Sequence, residues 1–130
     1  MRSPSSKVDK LDEMFRLRRR FMTSLQEIHP GIYPTWPVDL EKKEHQQALR
    51  DTALKGVEEM FEALGHLKNW KPHRNTNVSG FQRDEFLEEV VDAFNYFFSI
   101  LVLLGVDSDE LFSAYVKKDK IIHDRLNTGY

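Results

Sequence analysis

Two acidic pairs, Glu59-x-x-Glu62 and Glu89-x-x-Asp92, have the spacing to do chemistry. Each lies in a helical pattern, and a turn-rich stretch separates them. Residues three apart on a helix share a face, so each pair aims two carboxylates at one point. Two such helices packed side by side bring all four carboxylates together. Negative charges crowded into a partly buried place repel strongly and require a cation. An all-oxygen site of this kind suits Mg2+, or Mn2+, rather than zinc.

A single E-x-x-E is common on solvated helix surfaces. Here Val57, Met60, Phe61 and Leu64 surround the first pair, and Val90, Val91 and Phe94 the second. Asp92 sits in the most apolar stretch of the chain, where an unpaired charge is costly. The competing reading pairs Asp92 with an Arg or Lys in the core. Cations that could hold phosphates are Lys68, Lys71 and Arg74 after the first pair, and Lys117, Lys118, Lys120 and Arg125 near the C-terminus. The plainer reading of such residues is a solvated basic face. Lys118 and Arg125 are seven apart and share one helix face. Trp70 could stack on a base or plug the edge of the core. None of the five histidines has zinc-site spacing, and no Gly-rich phosphate loop or Ser/His/Asp arrangement is legible.

The elements that must position these groups are all helical. Leu11, Met14, Phe15, Phe21, Met22 and Leu25 predict a first helix from Lys7 to about Ile28, stopped by His29-Pro30-Gly31. Asp39 suits the N-cap of a second helix running to about Lys68, with Leu49, Ala53, Val57, Met60, Phe61, Leu64 and Leu67 as its stripe. Gly56 interrupts it, marking either close packing or a break. Asn69 to Gly80 reads as a loop. A third helix runs from about Gln82 to Leu104 and ends at Gly105. Asp107 with Glu110 resembles a capping box opening a fourth helix to about Leu126, with Leu111, Phe112, Tyr115, Ile121 and Ile122 inward. The expected fold is an all-α bundle of four to five helices. The third helix is apolar nearly all round from Val90 to Leu104, which predicts a homodimer or higher oligomer to cover it.

With 130 residues, 40% hydrophobic and 31% charged, the chain reads as one globular domain, 1–130, of which 1–6 are expected to be flexible. A net charge of -2 gives no basic footprint for nucleic acid, Arg18-Arg19-Arg20 being a local run only. The absence of cysteine excludes disulfides and thiolate zinc sites and fits a reducing cytoplasm. No signal-peptide core opens the sequence, and Val90 to Leu104 is too short and too polar for a membrane span. The expected partners are a small substrate and further copies of the chain, with no nucleic acid and no membrane.

Together these motifs resemble the all-α nucleoside triphosphate pyrophosphatases, which include MazG-type enzymes, dimeric dUTPases and phage dCTPase/dUTPases. Glu59 to Gly65 followed by Asn69-Trp70-Lys71-Pro72 is similar to the first acidic motif and Trp-Lys element of the dimeric dUTPase and phage dCTPase branch. Glu89-Val-Val-Asp92-Ala-Phe-Asn-Tyr-Phe-Phe98 is similar to its second acidic motif, and Tyr115 to Tyr130 to its ending. The likeness covers Leu54 to Tyr130 well and the first helix loosely. It implies Mg2+-dependent hydrolysis of a nucleoside triphosphate to the monophosphate and pyrophosphate. It assigns Glu59, Glu62, Glu89 and Asp92 to the metal, and one of Glu59 and Glu62 to the attacking water. Lys71, Lys118 and Arg125 would hold phosphates, and Arg18, Trp70, Asn95, Asp119 and Tyr130 would contact the nucleoside.

The departures fall on base reading. Asp119 and Ile122 stand where the branch has asparagines, Leu126 where it has glutamine, and Arg18 where dimeric dUTPases have a glutamine that reads uracil. A site that reads a base by hydrogen bonds rejects misfits strongly, so the changed donor set alters the choice of base. Pyrimidine deoxynucleotides (dUTP or dCTP) are slightly favoured, with a purine or modified base as the alternative. A non-catalytic helical dimerisation module is the reading from another class.

Overall fold

A computed structural model describes residues 7–129. The flexibility expected of residues 1–6 and the role expected of Tyr130 concern positions outside them. The chain is all-α, with helices α1 (Lys10–Ile28), α2 (Lys43–Leu64), α3 (Arg83–Leu104) and α4 (Ser108–Thr128), and no strand among the described residues. No single helix among them is long and apolar enough to cross a membrane.

Local chemistry sets the helix ends. The Asp9 carboxylate accepts from the Asp12 N–H at 3.1 Å, so α1 begins after this cap rather than at Lys7. At its other end the His29 N–H closes on the Leu25 carbonyl at 2.8 Å. α2 is shorter than expected at both ends. Asp39 accepts from the Glu41 N–H at 3.0 Å and donates its own N–H to His45 Nδ1 at 2.8 Å, building a turn before the helix instead of capping it. At the far end Gly65 closes the last turn, leaving Leu67 and Lys68 in the following loop.

Gly105 ends α3 as expected. Its φ of 78° is left-handed, its N–H donates to the Val102 carbonyl at 3.0 Å, and the Val106 N–H reaches the Leu101 carbonyl at 2.9 Å. These bonds form a Schellman stop. Asp107 then accepts from the Glu110 N–H at 2.8 Å and starts α4.

α3 is the central element. α1 and α2 both pack on it and make no helix-to-helix contact with each other. Phe15, Met22, Val102 and Leu103 form the buried core, with Leu49, Phe98 and Leu101 packed against it. Phe15 and Phe98 meet edge to face, centroids 5.1 Å apart. Val38 ties the 29–42 connection to this core by donating to the Leu103 carbonyl at 2.8 Å. Gly56 marks close packing: a Cβ there would lie 3.0 Å from the Phe97 ring and 3.2 Å from Tyr96 Cβ.

α4 departs from a bundle. It turns away from α3 by 106° and packs on α1 alone. Phe112 and Tyr115, expected inward, are 62% and 70% exposed, and Ile121 and Ile122 are also open to solvent. Leu111, at the start of the expected stripe, does pack on the core, but the rest of the stripe has no partner among the described residues, because the turn at Gly105 points the helix outward. α3 is likewise not covered on every side, since Leu87, Val91 and Phe94 are exposed.

Candidate active site

Two contacts fix how α2 and α3 align. Gly56 meets Phe97, and His66, just past the end of α2, meets Glu89. Rising numbers on one helix meet falling numbers on the other, so the pair is antiparallel. Glu59 and Glu62 lie between these points, at the level of Asp92 and Glu89. The four carboxylates act on one another: the Glu59 carboxyl is raised above its ordinary value by partial burial, then by the charge of Glu62 and a hydrogen bond with it, then by Asp92 and Glu89.

The cluster is open. Glu62 and Asp92 are exposed, and Glu59 and Glu89 half-buried. Asp92 is therefore not a buried charge, and it forms no ion pair among the described residues. Burial in an apolar stretch was the wrong argument for it, because its side of α3 faces the cleft rather than the core. As the side chains stand, no three His, Asp or Glu groups among the described residues converge closely enough to hold an ion. The donor set still fits a hard divalent cation, being all carboxylate. Glu89 Oε2 is shut off from solvent, with a histidine nitrogen as its near polar neighbour.

The group beside that oxygen was missed in the sequence. His66 Nε2 lies 2.7 Å from Glu89 Oε2, and its ring packs edgewise on Phe81 and Phe86. Its place four residues after Glu62 was the available signal, since that spacing extends the acidic face of α2 past the helix end.

A cleft adjoins the acids between α1 and α3, with Glu59 of α2 at one end. One part, about 320 Å3, is lined by Arg18, Phe21, Tyr33, Glu59, Asp92 and Asn95. The adjoining part, about 550 Å3, shares Arg18, Phe21, Asp92 and Asn95 and adds Met14, Leu17 and Phe98. On the other side of Asp92 an acidic groove of about 730 Å3 runs along the start of α3, past Glu89, Glu88 and Glu85 to Asp84.

Arg18 and Asn95 thus line both parts of the cleft, together with Asp92. Trp70 and Lys71 stand in the loop after α2, Lys71 Nζ 5.2 Å from the centre of the Trp70 ring, and Trp70 is 70% exposed. Asn69 closes this loop by exchanging hydrogen bonds of 2.7 and 2.6 Å with Thr76. Lys118, Asp119 and Arg125 ride on α4, which touches neither α2 nor α3, so one chain does not bring them to the acids. Asp119 is turned to its own helix, 3.3 Å from His123.

The mutual repulsion has a pH signature. A carboxyl whose folded pKa is raised favours folding below the unfolded value, near 4.5, and that contribution is lost as pH rises through the folded value. Glu59→Gln is therefore expected to raise the metal-free melting temperature at pH 7 and to lose that advantage below pH 4.5. Thermal melts in a chelator across pH check this.

No family model, curated protein or solved structure matches this chain.

Proposed function

We propose that this chain is a Mg2+-dependent nucleoside triphosphate pyrophosphohydrolase that works as a homodimer or higher oligomer in the cytoplasm. The observation that carries the reading is the juxtaposition of two acidic pairs with an aromatic-lined cleft of nucleoside size. Glu59, Glu62, Glu89 and Asp92 would hold Mg2+ or Mn2+, which when bound neutralises phosphate charge and acidifies a water. Glu59, whose affinity for a proton is raised, is the base of the first pair. Water attacks the α-phosphorus, the bond to the bridging oxygen breaks, and pyrophosphate leaves. The remaining task of the protein is to position the chain of phosphates and hold its charge. Lys71 is the phosphate-binding candidate nearest in sequence to the acids, whereas Lys118 and Arg125 would have to come from a second copy.

The test is a product-resolved assay of each common dNTP and NTP with Mg2+ and with chelator. Monophosphate plus pyrophosphate supports the reading; diphosphate plus phosphate refutes it. The second reading, a non-catalytic dimerisation module, draws on the exposed apolar residues of α4 and the unconverged carboxylates. It predicts no turnover on any nucleotide.

His66 then acts through Glu89. His66→Ala is expected to weaken Mn2+ binding by about 10-fold or more, as loss of a carboxylate's supporting partner does. His66→Gln, which keeps a donor, retains most of it. Electron paramagnetic titration of Mn2+ into the protein without nucleotide reads both.

A further inference from the structure

We propose that Arg18 selects the base of the nucleotide, admitting one with two adjacent acceptors (cytosine or guanine) and excluding uracil, thymine and adenine. The inference rests on the nucleotide reading above and adds the substrate class.

Arg18 is half-buried on α1 with no carboxylate partner among the described residues. Its Nε donates to Ser99 Oγ at 2.7 Å, and Ser99 is wholly buried on α3. The guanidinium lies 4.6 Å from the centre of the Phe21 ring and 5.8 Å from that of Tyr96. One serine and two rings hold it across the gap between α1 and α3, and its two Nη groups meet no acceptor among the described residues. The guanidinium is thus fixed by Ser99 and the two rings while its Nη donors stay available to a ligand entering the cleft.

The surroundings indicate which part of the ligand. Burial lowers the Arg18 pKa, opposed by Tyr33 and Tyr96. Among the described residues Arg18 forms no ion pair with a carboxylate, so its fork is not taken up by the acids. Met14, Leu17, Phe21 and Phe98 line the cleft around it, and apolar and aromatic surfaces suit a flat base rather than a triphosphate. Asp92 lines the same cleft, so a nucleotide with its base at Arg18 can run its phosphates toward the acids.

The choice of base follows from donor chemistry. Arginine only donates, and its fork matches two acceptors side by side. Guanine offers O6 and N7, and cytosine offers O2 and N3. Uracil and thymine put an N–H between their carbonyls, and adenine sets an amino donor beside its acceptor, so each turns a donor toward a donor. Asn95, lining both parts of the cleft, carries the carbonyl that can accept the neighbouring N4–H of cytosine or N1–H of guanine.

The experiment measures kcat/KM with Mg2+ for dCTP, dGTP, dUTP, dTTP and dATP on wild type, Arg18→Gln and Arg18→Lys. Wild type is expected to favour dCTP or dGTP over dUTP by about 10- to 100-fold, as one bidentate pair provides. The two arms tell cytosine from guanine. Arg18→Gln, carrying both donor and acceptor, is expected to erase that preference and gain relative activity on dUTP or dATP. Arg18→Lys keeps the charge without the fork and is expected to lose the preference as well, so it serves if Arg18→Gln does not fold. Preference for dUTP, dTTP or dATP in the wild type overturns the proposal and leaves the pyrophosphohydrolase reading standing. Equal losses on every base in a folded variant also overturn it. No turnover of any nucleotide by wild type overturns both.

Discussion

Asp92→Ala is expected to lower kcat at least ~1000-fold while leaving the melting temperature within a degree or two of wild type. The side chain is exposed and has no ion pair among the described residues, so its loss removes no packing. Surface substitutions of this kind change stability by about 0.5 kcal/mol or less, and relief of the charge on Glu59 works in the stabilising direction. A metal clamp on a transferring phosphoryl group is worth several kcal/mol, and each ~1.4 kcal/mol is a factor of ten in rate. The two measurements together are diagnostic, because a structural role would move both. Full activity in this variant would take Asp92 out of the site, and with it the argument from paired acids.

The second large effect concerns assembly. Phe112 and Tyr115 sit one turn apart on α4, 62% and 70% exposed, with Leu126 at 66% farther along. Phe61 on α2 is 68% exposed. Burying one such aromatic contributes about 1.5–3 kcal/mol, so a pair on each copy changes a dimer constant by at least ~100-fold. Analytical ultracentrifugation of the wild type is expected to give twice 15.3 kDa or more at micromolar concentration. Phe112→Ser with Tyr115→Ser is expected to shift it toward 15.3 kDa. A wild-type chain sedimenting as a monomer at tens of micromolar would refute the assembly. Such a chain would also leave Lys118 and Arg125 without a route to the acids.

The helices were legible wherever a local signal marked them. Gly105 and Asp107 are stop and start signals that act through a few backbone atoms, and both behave as their residue types require. Asp39 misled because a side chain able to cap a helix is equally able to close a turn. The direction of α4 was not legible, since a periodic stripe reports that a face is apolar and not what covers it. The alignment of the two acidic pairs was readable from spacing, but the openness of Asp92 was not. The neighbours in sequence of Asp92 are apolar, yet on a helix they point to other sides. His66 escaped because its partner is 23 residues away and histidine was sought in zinc patterns.

α1 and α2 dock on α3 without touching each other. Apart from α3, the 29–42 connection links them, tied to α1 through Gln26 and to α3 through Val38, and whatever occupies the cleft adds a further bridge. Amide hydrogens of α1 would exchange more slowly once the cleft is filled, including those a full turn from any ligand atom, because closing the bridge removes the opening in which α1 lifts from α3 alone. Occupancy of the cleft could thus be followed from the backbone of the first helix, with no label on the ligand.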